Sequence, residues 1–513
     1  MTWSLENSKG YESAKCRWDV ARYTRGLGLD VGCGPEKCYP HMIGVDSDVD
    51  RHLFGVRSAY DIRVPDACSL PMFATQSMDF IYSSHLLEHI IDYKKALAEW
   101  WRVIKVGGFL VLYLPHKDHY PNIGSDGANP DHKHDFANQD IIDAMSDIGG
   151  WDLRVDEVRS GENEYSFLQV YEKRSDRQHK WSCHLRKPSK TAAVVRYGAW
   201  GDALQSSSVV EMLKQEGYHI TFYCTPRAYT VIKNDPNIDE FYLQDDDQIP
   251  NAALPYFWEW ESRKYDRWVN LSCTVEETWL TLGDKVSGKW PKKLRDKIFN
   301  YNYVQFMHEV ADVPYSRPLV KFYPSSEERK WADKKRRKWS GDPFIVFALS
   351  GSGVHKVWPH MDGFIARVLL HYPRARIVFV GGKGDAILED PWRNEPRVTC
   401  TCEDGIPIRD SIALAQVADM VIGPETGILN AVSCERMPKI VLLSHSSHEN
   451  LTRDWVNTSA VFSTRTPCYP CHMIHYSFEY CKKDEKLGTA QCQADIPIDA
   501  VWVAFQQIMR KAA

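Results

Sequence analysis

The chain has 513 residues and a formal net charge of −5; 43% of its residues are hydrophobic and 26% charged. Such a length corresponds to two or three domains of ordinary globular composition. The absence of a basic surplus excludes a global electrostatic case for nucleic acid or an anionic membrane as partner. The run Lys334-Lys335-Arg336-Arg337-Lys338 follows Glu327, Glu328 and Asp333 in a helical stretch, so it reads as a solvated helix face. Met1 to Val20 has no apolar core of a secretory signal, and no stretch approaches ~18 uninterrupted apolar residues. A cytoplasmic location without a transmembrane segment is therefore expected. The 14 cysteines then read as thiols rather than as a disulfide framework.

Short apolar strands alternate with amphipathic helical stretches almost throughout, which argues for α/β units with parallel sheets. The first block runs from Leu27 to Lys173, and a polar, basic stretch follows it. The predicted division is 1–175 for a first domain, 176–190 for a linker, 191–325 for a second domain and 326–513 for a third. The second block opens with the strand Ala192 to Tyr197 and the third with Phe344 to Leu349. Further apolar runs follow in the third block at Ile377–Val380, Met420–Ile422 and Ile440–Leu443.

In the first block, Leu29-Asp30-Val31-Gly32-Cys33-Gly34 ends a strand in a glycine turn. Without a Cβ there, backbone N–H groups can approach a ligand closely. Asp46 closes the next strand, where a carboxylate can accept both ribose hydroxyls of a nucleoside. Asp66-Ala67 then precedes Leu70-Pro71, and Met78 to Ser84 forms a strand. His85-Leu86-Leu87-Glu88-His89 opens a helix ending near Lys105, and Gly107-Gly108 leads into the strand Phe109 to Tyr113. This ordered set resembles the class I methyltransferases that use S-adenosylmethionine (SAM). The resemblance implies a Rossmann-like domain with Asp30, Gly32, Cys33, Gly34 and Ser83 around the cofactor, Asp46 on its ribose and Asp66 facing its adenine. Only nine residues separate Gly34 from Gly44, too few for the full helix that usually follows the glycine turn. A shortened crossover is expected, with Pro35-Glu36-Lys37 shaping the loop.

Methyl transfer needs mainly alignment, with a base only for a poorly nucleophilic acceptor. The acceptor-side candidates are His85, Glu88 and His89. His116, His119, His132 and His134 follow no tight ligand spacing, so solvated or hydrogen-bonding histidines are expected there. The fourth strand ends in Ser-Ser-His rather than an Asn/Asp-Pro-Pro-aromatic signature. That disfavours amino groups of DNA bases and leaves oxygen acceptors on sugars or small molecules.

In the second block Asp202 follows Gly198-Ala199-Trp200-Gly201 at a strand-to-helix turn, where a helix cap and a ligand-facing carboxylate are both open. In the third, Gly351-Ser352-Gly353 precedes Lys356-Val357-Trp358-Pro359, and Asp385 follows Gly381-Gly382. Glu425-Thr426-Gly427-Ile428-Leu429-Asn430 combines small residues with a helix start, a setting that suits a phosphate. Together these residues resemble the heptosyltransferase-type GT-B glycosyltransferases from Thr191 onward. The resemblance implies a pair of Rossmann-like domains and an inverting, metal-independent transfer, with Asp202 as base and Lys356 steadying the departing diphosphate. It places Gly351, Ser352, Lys356, Asp385, Glu425, Thr426, Gly427, Ile428 and Asn430 on a nucleotide sugar, an ADP-linked one among the options. Glu425 and Asn430 depart from the family's Asp-Thr-Gly-x-x-His, which leaves nucleotide and sugar open. The closing helix near Ile498 to Lys511 is expected to cross back onto the N-terminal half of that fold. Asp245-Asp246-Asp247 reads as a solvated turn.

Cys468-Tyr469-Pro470-Cys471, with Cys481 and Cys492, has the first spacing of a zinc knuckle but no second Cys-x-x-Cys. A structural zinc and unlinked thiols both stay open. The expectation for the whole chain is a bifunctional enzyme of surface-glycan synthesis, acting on a glycan or small acceptor that includes membrane-borne ones. Two alternatives remain: one active domain with the other a docking module, or a virus-encoded modifier of nucleic acid or of a structural protein.

Overall fold

Leu29, Val31, Ile81, Leu110 and Leu112 alternate with ligand-facing or opposite-face residues along short strands, and all five are fully or almost fully buried. They form the centre of an eight-stranded sheet in the computed structural model, which describes residues 3–5, 11–48, 55–176, 178–181, 189–272, 281–282, 286–315 and 320–512. The described chain divides into one unit of Met1–Ser189 with Tyr242–Asp266, and another of Lys190–Phe241 with Arg267–Ala513. Much of the polar stretch 176–190 lies outside the described residues.

The strands of the first unit are β1 (Gly28–Val31), β2 (Ile43–Asp46), β3 (Ile62–Arg63), β4 (Met78–Ser84), β5 (Ile104–Pro115), β6 (Trp151–Gly161), β7 (Glu164–Lys173) and β8 (Lys180–Trp181). Their order is β3-β2-β1-β4-β5-β7-β6-β8. The first five run parallel, and β7 closes antiparallel on β5. Helix Tyr93–Val103 starts at Asp92, whose side chain accepts the Lys95 N–H, and buries Leu97, Trp100 and Val103 on the sheet. Between β1 and β2 the chain makes turns and no helix, so the short crossover read from the spacing is present.

Tyr242–Asp266 belongs to this unit because its helix, Leu254–Ser262, presents Trp260 to Asp19 at 2.9 Å, and Lys264 reaches the same carboxylate at 2.9 Å. Of the acid run, Asp246 and Asp247 are exposed, as a solvated turn requires. Asp245 instead holds the Arg25 guanidinium at 2.9 Å and the Gly26 N–H at 3.0 Å.

In the second unit, β9 (Thr191–Val195), β10 (His219–Cys224), β11 (Glu240–Leu243) and β12 (Arg267–Asn270) form a sheet in the order β11-β10-β9-β12. A short strand β13 (Thr281–Leu282) comes next. The second large sheet contains β14 (Phe344–Ala348), β15 (Arg376–Val380), β16 (Val398–Thr399), β17 (Met420–Pro424), β18 (Lys439–Leu442) and β19 (Thr458–Val461). It is parallel throughout, in the order β16-β15-β14-β17-β18-β19, which reverses direction between β14 and β17. Open α/β sheets bind ligands beyond the carboxyl ends of the strands at such a reversal. The first unit has its reversal between β1 and β4 for the same reason.

The closing helix, Ile498–Ala512, departs from the expected brace. Its buried face of Val501, Trp502, Phe505 and Ile508 packs with Phe364, Ile365 and Leu442 of its own half. Helix Met361–His371 offers an apolar stripe of matching spacing, and Arg367 pairs with Asp499 at 2.6 Å. Among the described residues no helix is long and apolar enough to cross a membrane.

Candidate functional site

The first site lies beyond β1 and β4. Gly32 adopts φ +76°, and a Cβ there would stand 2.7 Å from Leu86, so this position accepts only glycine without strain. Gly34 also turns through positive φ, and its N–H donates to Asp46 at 3.0 Å. The other Asp46 oxygen accepts the Asp48 N–H at 2.7 Å, which fixes the carboxylate at the end of β2. Each oxygen retains a second lone pair, as a carboxylate meant for ribose hydroxyls requires. Asp66 is exposed and accepts the Cys68 N–H at 2.8 Å, forming a turn that faces solvent.

Two predicted cofactor residues have structural partners instead. Ser83 is fully buried and donates to the Val31 carbonyl at 2.9 Å, tying β4 to β1. Asp30 is fully buried beneath the turn and accepts the Cys38 N–H at 2.8 Å. Burial pushes its carboxyl up to about 7, with Asp46 adding to the rise and the Cys38 N–H and Lys37 opposing it. Cys33 is buried, and desolvation raises its thiol.

His85 follows β4 at φ +48°, with its Nε2 2.9 Å from Ser166 Oγ and 3.5 Å from Glu12. Glu88 is fully buried on the turn Leu87–His89. Burial pushes its carboxyl up to about 8. Of the loop histidines expected to be solvated or hydrogen-bonding, His132 is buried, and Glu88, His89 and His132 bring their ligand atoms within 4.8 Å of one another. His134 is engaged with the Ile90 and Ile91 carbonyls, and His116 with the Asp118 N–H.

The second site is a cavity of about 470 Å³ in the second unit, lined from both of its sheets. Gly201, Asp202, Gly351, Ser352, Lys356, Asp385, Glu425, Thr426, Gly427, Ile428 and Asn430 all line it. Asp202 lies in the first turn of helix Trp200–Gln205, and one of its oxygens accepts the Ala199 N–H at 2.8 Å. The other lies 3.3 Å from the guanidinium of Arg196, which is 1% exposed. Asp202 is thus not the N-cap, which is Ala199, but the third residue of the helix reaching back to it, and it also lines the cavity.

Lys356 is buried beside Gly351, where a Cβ would stand 2.6 Å from its Cδ. Burial pushes its ammonium down, and the carboxylates of Glu425 and Asp202 oppose that shift. Asp385 closes the Gly381–Gly382 turn, accepting from Ser350 Oγ at 2.6 Å and from the Gly382 N–H at 2.8 Å. Burial disfavours the ionised Glu425, yet His445, Lys356 and the Ser444 hydroxyl together hold its carboxyl well below the usual range. His445 Nδ1 lies 2.8 Å from it, and the N–H groups of Ser444 and His445 each donate at 2.9 Å. Thr426 caps helix Gly427–Ala431, whose first N–H groups have no acceptor within the helix. Asn430 accepts from Gln205 at 2.9 Å, joining the helices that carry the two halves of the site.

Sequence reasoning missed Arg196, Arg227 and His445. Arg227 lines the cavity with its guanidinium 5.3 Å from the Trp200 ring centroid. Its position just after β10, at the carboxyl end of a strand beside β9, was the available signal. His445 follows β18 in the same way.

The four cysteines belong to the second unit, with Cys471 and Cys492 buried, Cys481 half-buried and Cys468 exposed. Burial pushes the Cys471 thiol up to about 12 and Cys481 to about 11, and neighbouring thiols of the set add to both shifts. They are not among the groups whose ligand atoms already lie within 4.8 Å of one another.

Residues 29–112 match the family model of the methyltransferase domain. The glycosyl transferase family 9 structure from Veillonella parvula is similar at 14% identity, covering 64% of this chain and 100% of its own, with a TM-score of 0.46. The E. coli ADP-heptose LPS heptosyltransferase II is similar at 13% identity, covering 63% and 100%, with a TM-score of 0.45. The YcgJ protein of Bacillus subtilis is similar at 19% identity, covering 32% and 99%, with a TM-score of 0.23. A search among curated proteins finds none that matches the chain. The first unit carries a methyltransferase domain, and the chain is a transferase.

Proposed function

We propose that this chain joins SAM-dependent methylation of a sugar or small-molecule oxygen to inverting glycosyl transfer from a nucleotide sugar, in the synthesis of a surface glycan. The observation that carries the glycosyl half is the convergence of Asp202, Lys356, Asp385 and the Thr426–Asn430 turn on one cavity at a strand-order reversal. In this reading Asp202, oriented by Arg196, takes the proton of the acceptor hydroxyl as that oxygen attacks the anomeric carbon. The bond to the diphosphate breaks, and Lys356 with the N–H groups of the Thr426 turn receives the departing charge. The Glu425 carboxylate opposes the downward push that burial exerts on the Lys356 ammonium. A nucleoside diphosphate suits the cavity because Lys356, the Thr426 turn and the flat faces of Arg227 and Trp200 all line it.

For the methyl half, the residues fit SAM on two counts. Gly32 and Gly34 clear the backbone for close approach, and Asp46 is aimed by two N–H groups. Bound SAM supplies an electrophilic methyl group. The protein then has to align an acceptor oxygen at the ends of β1 and β4 and exclude water. His85 and Glu88 follow the end of β4 and are the acceptor-side candidates.

A structural zinc held by Cys468, Cys471, Cys481 and Cys492 is part of the reading, supported by the two-residue spacing of Cys468 and Cys471 and the burial of Cys471 and Cys492; it requires the four thiols to draw closer together than they stand. The test of the whole is product formation with each donor separately. Asp202→Ala with unchanged glycosyl transfer contradicts the assigned base, and absence of SAM binding in calorimetry contradicts the first unit's role.

A further inference from the structure

We propose that the first unit holds a divalent transition-metal cation between Glu88, His89 and His132, beside the end of β4. The elements converge for a local reason. The Glu88 carbonyl accepts the N–H groups of Lys133 at 2.8 Å and His134 at 3.2 Å, which clamps the 129–134 loop against the turn Leu87–His89. That clamp brings His89 Nε2 to 3.8 Å and His132 Nε2 to 3.9 Å from Glu88 Oε1. His85 Nδ1 stands 3.7 Å from the same oxygen, on a third side.

These separations exceed hydrogen-bond contact. Two ligands each about 2.1 Å from a tetrahedral zinc lie about 3.4 Å apart, so small side-chain rotations close the set on an ion. Glu88 is the independent sign that a cation belongs there. It is completely buried, and neither of its carboxylate oxygens accepts a hydrogen bond from another residue. A buried carboxylate without partners is costly, and ion coordination is one of the few arrangements that satisfies it. The rings are already organised: His132 stacks on Tyr120 at 5.2 Å, and His89 meets His132 edge-on at 4.8 Å between centroids.

Two imidazoles with one carboxylate select the zinc, cobalt, iron and manganese class over magnesium or calcium, which take oxygen-only shells. The remaining coordination positions take oxygen ligands such as water or an acceptor hydroxyl. The site stands on its own residues and does not depend on the glycosyl reading.

The test is titration of the chelator-treated full chain with cobalt(II), followed by visible absorption. A Cys468→Ser/Cys471→Ser background removes thiolate binding from the readout. The expected result is one equivalent bound with d–d bands and no sulfur charge-transfer band. Glu88→Gln or His132→Ala should weaken binding at least tenfold, while magnesium should not compete. Glu88→Gln is close in shape, and the parent carboxyl has no hydrogen-bond partner to lose, so the metal-free variant should fold and melt no lower than the parent. Cobalt should raise the melting temperature of the parent and not of this variant. Equal cobalt affinity and equal thermal protection in parent and both variants would overturn the site. So would loss of all N/O-type binding in the parent itself.

Discussion

The guanidinium of Arg196 lies 3.3 Å from the Asp202 carboxylate, and Arg196 is one of the largest fully buried side chains of the chain. A buried cation paired in this way fixes the direction of the carboxylate. The pairing predicts that Asp202→Asn loses glycosyl transfer by about 10² to 10⁴-fold, the usual worth of a positioned base. Asparagine can still accept the Ala199 N–H, but it leaves the buried Arg196 cation without its carboxylate, so the melting temperature should fall as well. Steady-state rates with a glycan acceptor, beside a melting curve, separate the two effects.

Gly351→Ala should act through Lys356. The new Cβ would meet the lysine Cδ at 2.6 Å and displace a flexible side chain, with no backbone clash among the nearest atoms. Donor binding should weaken by about tenfold, the cost of one misplaced charge contact, with stability nearly unchanged. Calorimetry with a nucleoside diphosphate reads this directly.

At the other site, Gly32→Ala combines a left-handed backbone, costing about 1–2 kcal/mol for any L side chain, with a Cβ 2.7 Å from Leu86. Loss of SAM binding and a lowered melting temperature in the first unit are expected. Gly55→Ala, which has positive φ but no atom within 4 Å, should lower stability without the loss of SAM binding.

These glycines were legible in the sequence because a glycine turn after an apolar strand has few other uses. The short β1–β2 crossover was legible from a count of residues, and the cavity residues from strand-end positions. What could not be read was pairing across long sequence separations. Gln205 meets Asn430, 225 residues on, and the Glu425 carboxylate takes its partners from Ser444 and His445, 19 and 20 residues on. The spacing of the loop histidines pointed away from a ligand set, because His132 reaches Glu88 through a backbone clamp rather than a helix or hairpin. The closing helix carries an apolar stripe whose pattern does not name its partner; packing of Trp502 and Phe505 against Phe364 does.

Asp30 gives a pH dependence. Its folded-state carboxyl titrates at about 7, above the value of an unfolded aspartate near 3.9. The folded state then binds more protons than the unfolded state between roughly pH 4 and 7, so this group's contribution to stability falls as pH rises through that window. Asp30→Asn should remove the fall. Relative to the parent, the variant should gain stability progressively from pH 4 to pH 7 and hold a constant difference above it. Melting temperatures of the two proteins across that range check the sign.

The central claim is that two transfer reactions reside in one chain. Mass spectrometry of a glycan acceptor incubated with the full chain, SAM and a panel of nucleotide sugars tests it most directly. The account predicts a product carrying one added glycosyl residue that disappears with Asp202→Asn, and a methyl increment that disappears with Gly32→Ala while the other increment persists. An acceptor left unchanged by both donors, or increments indifferent to both substitutions, would contradict it.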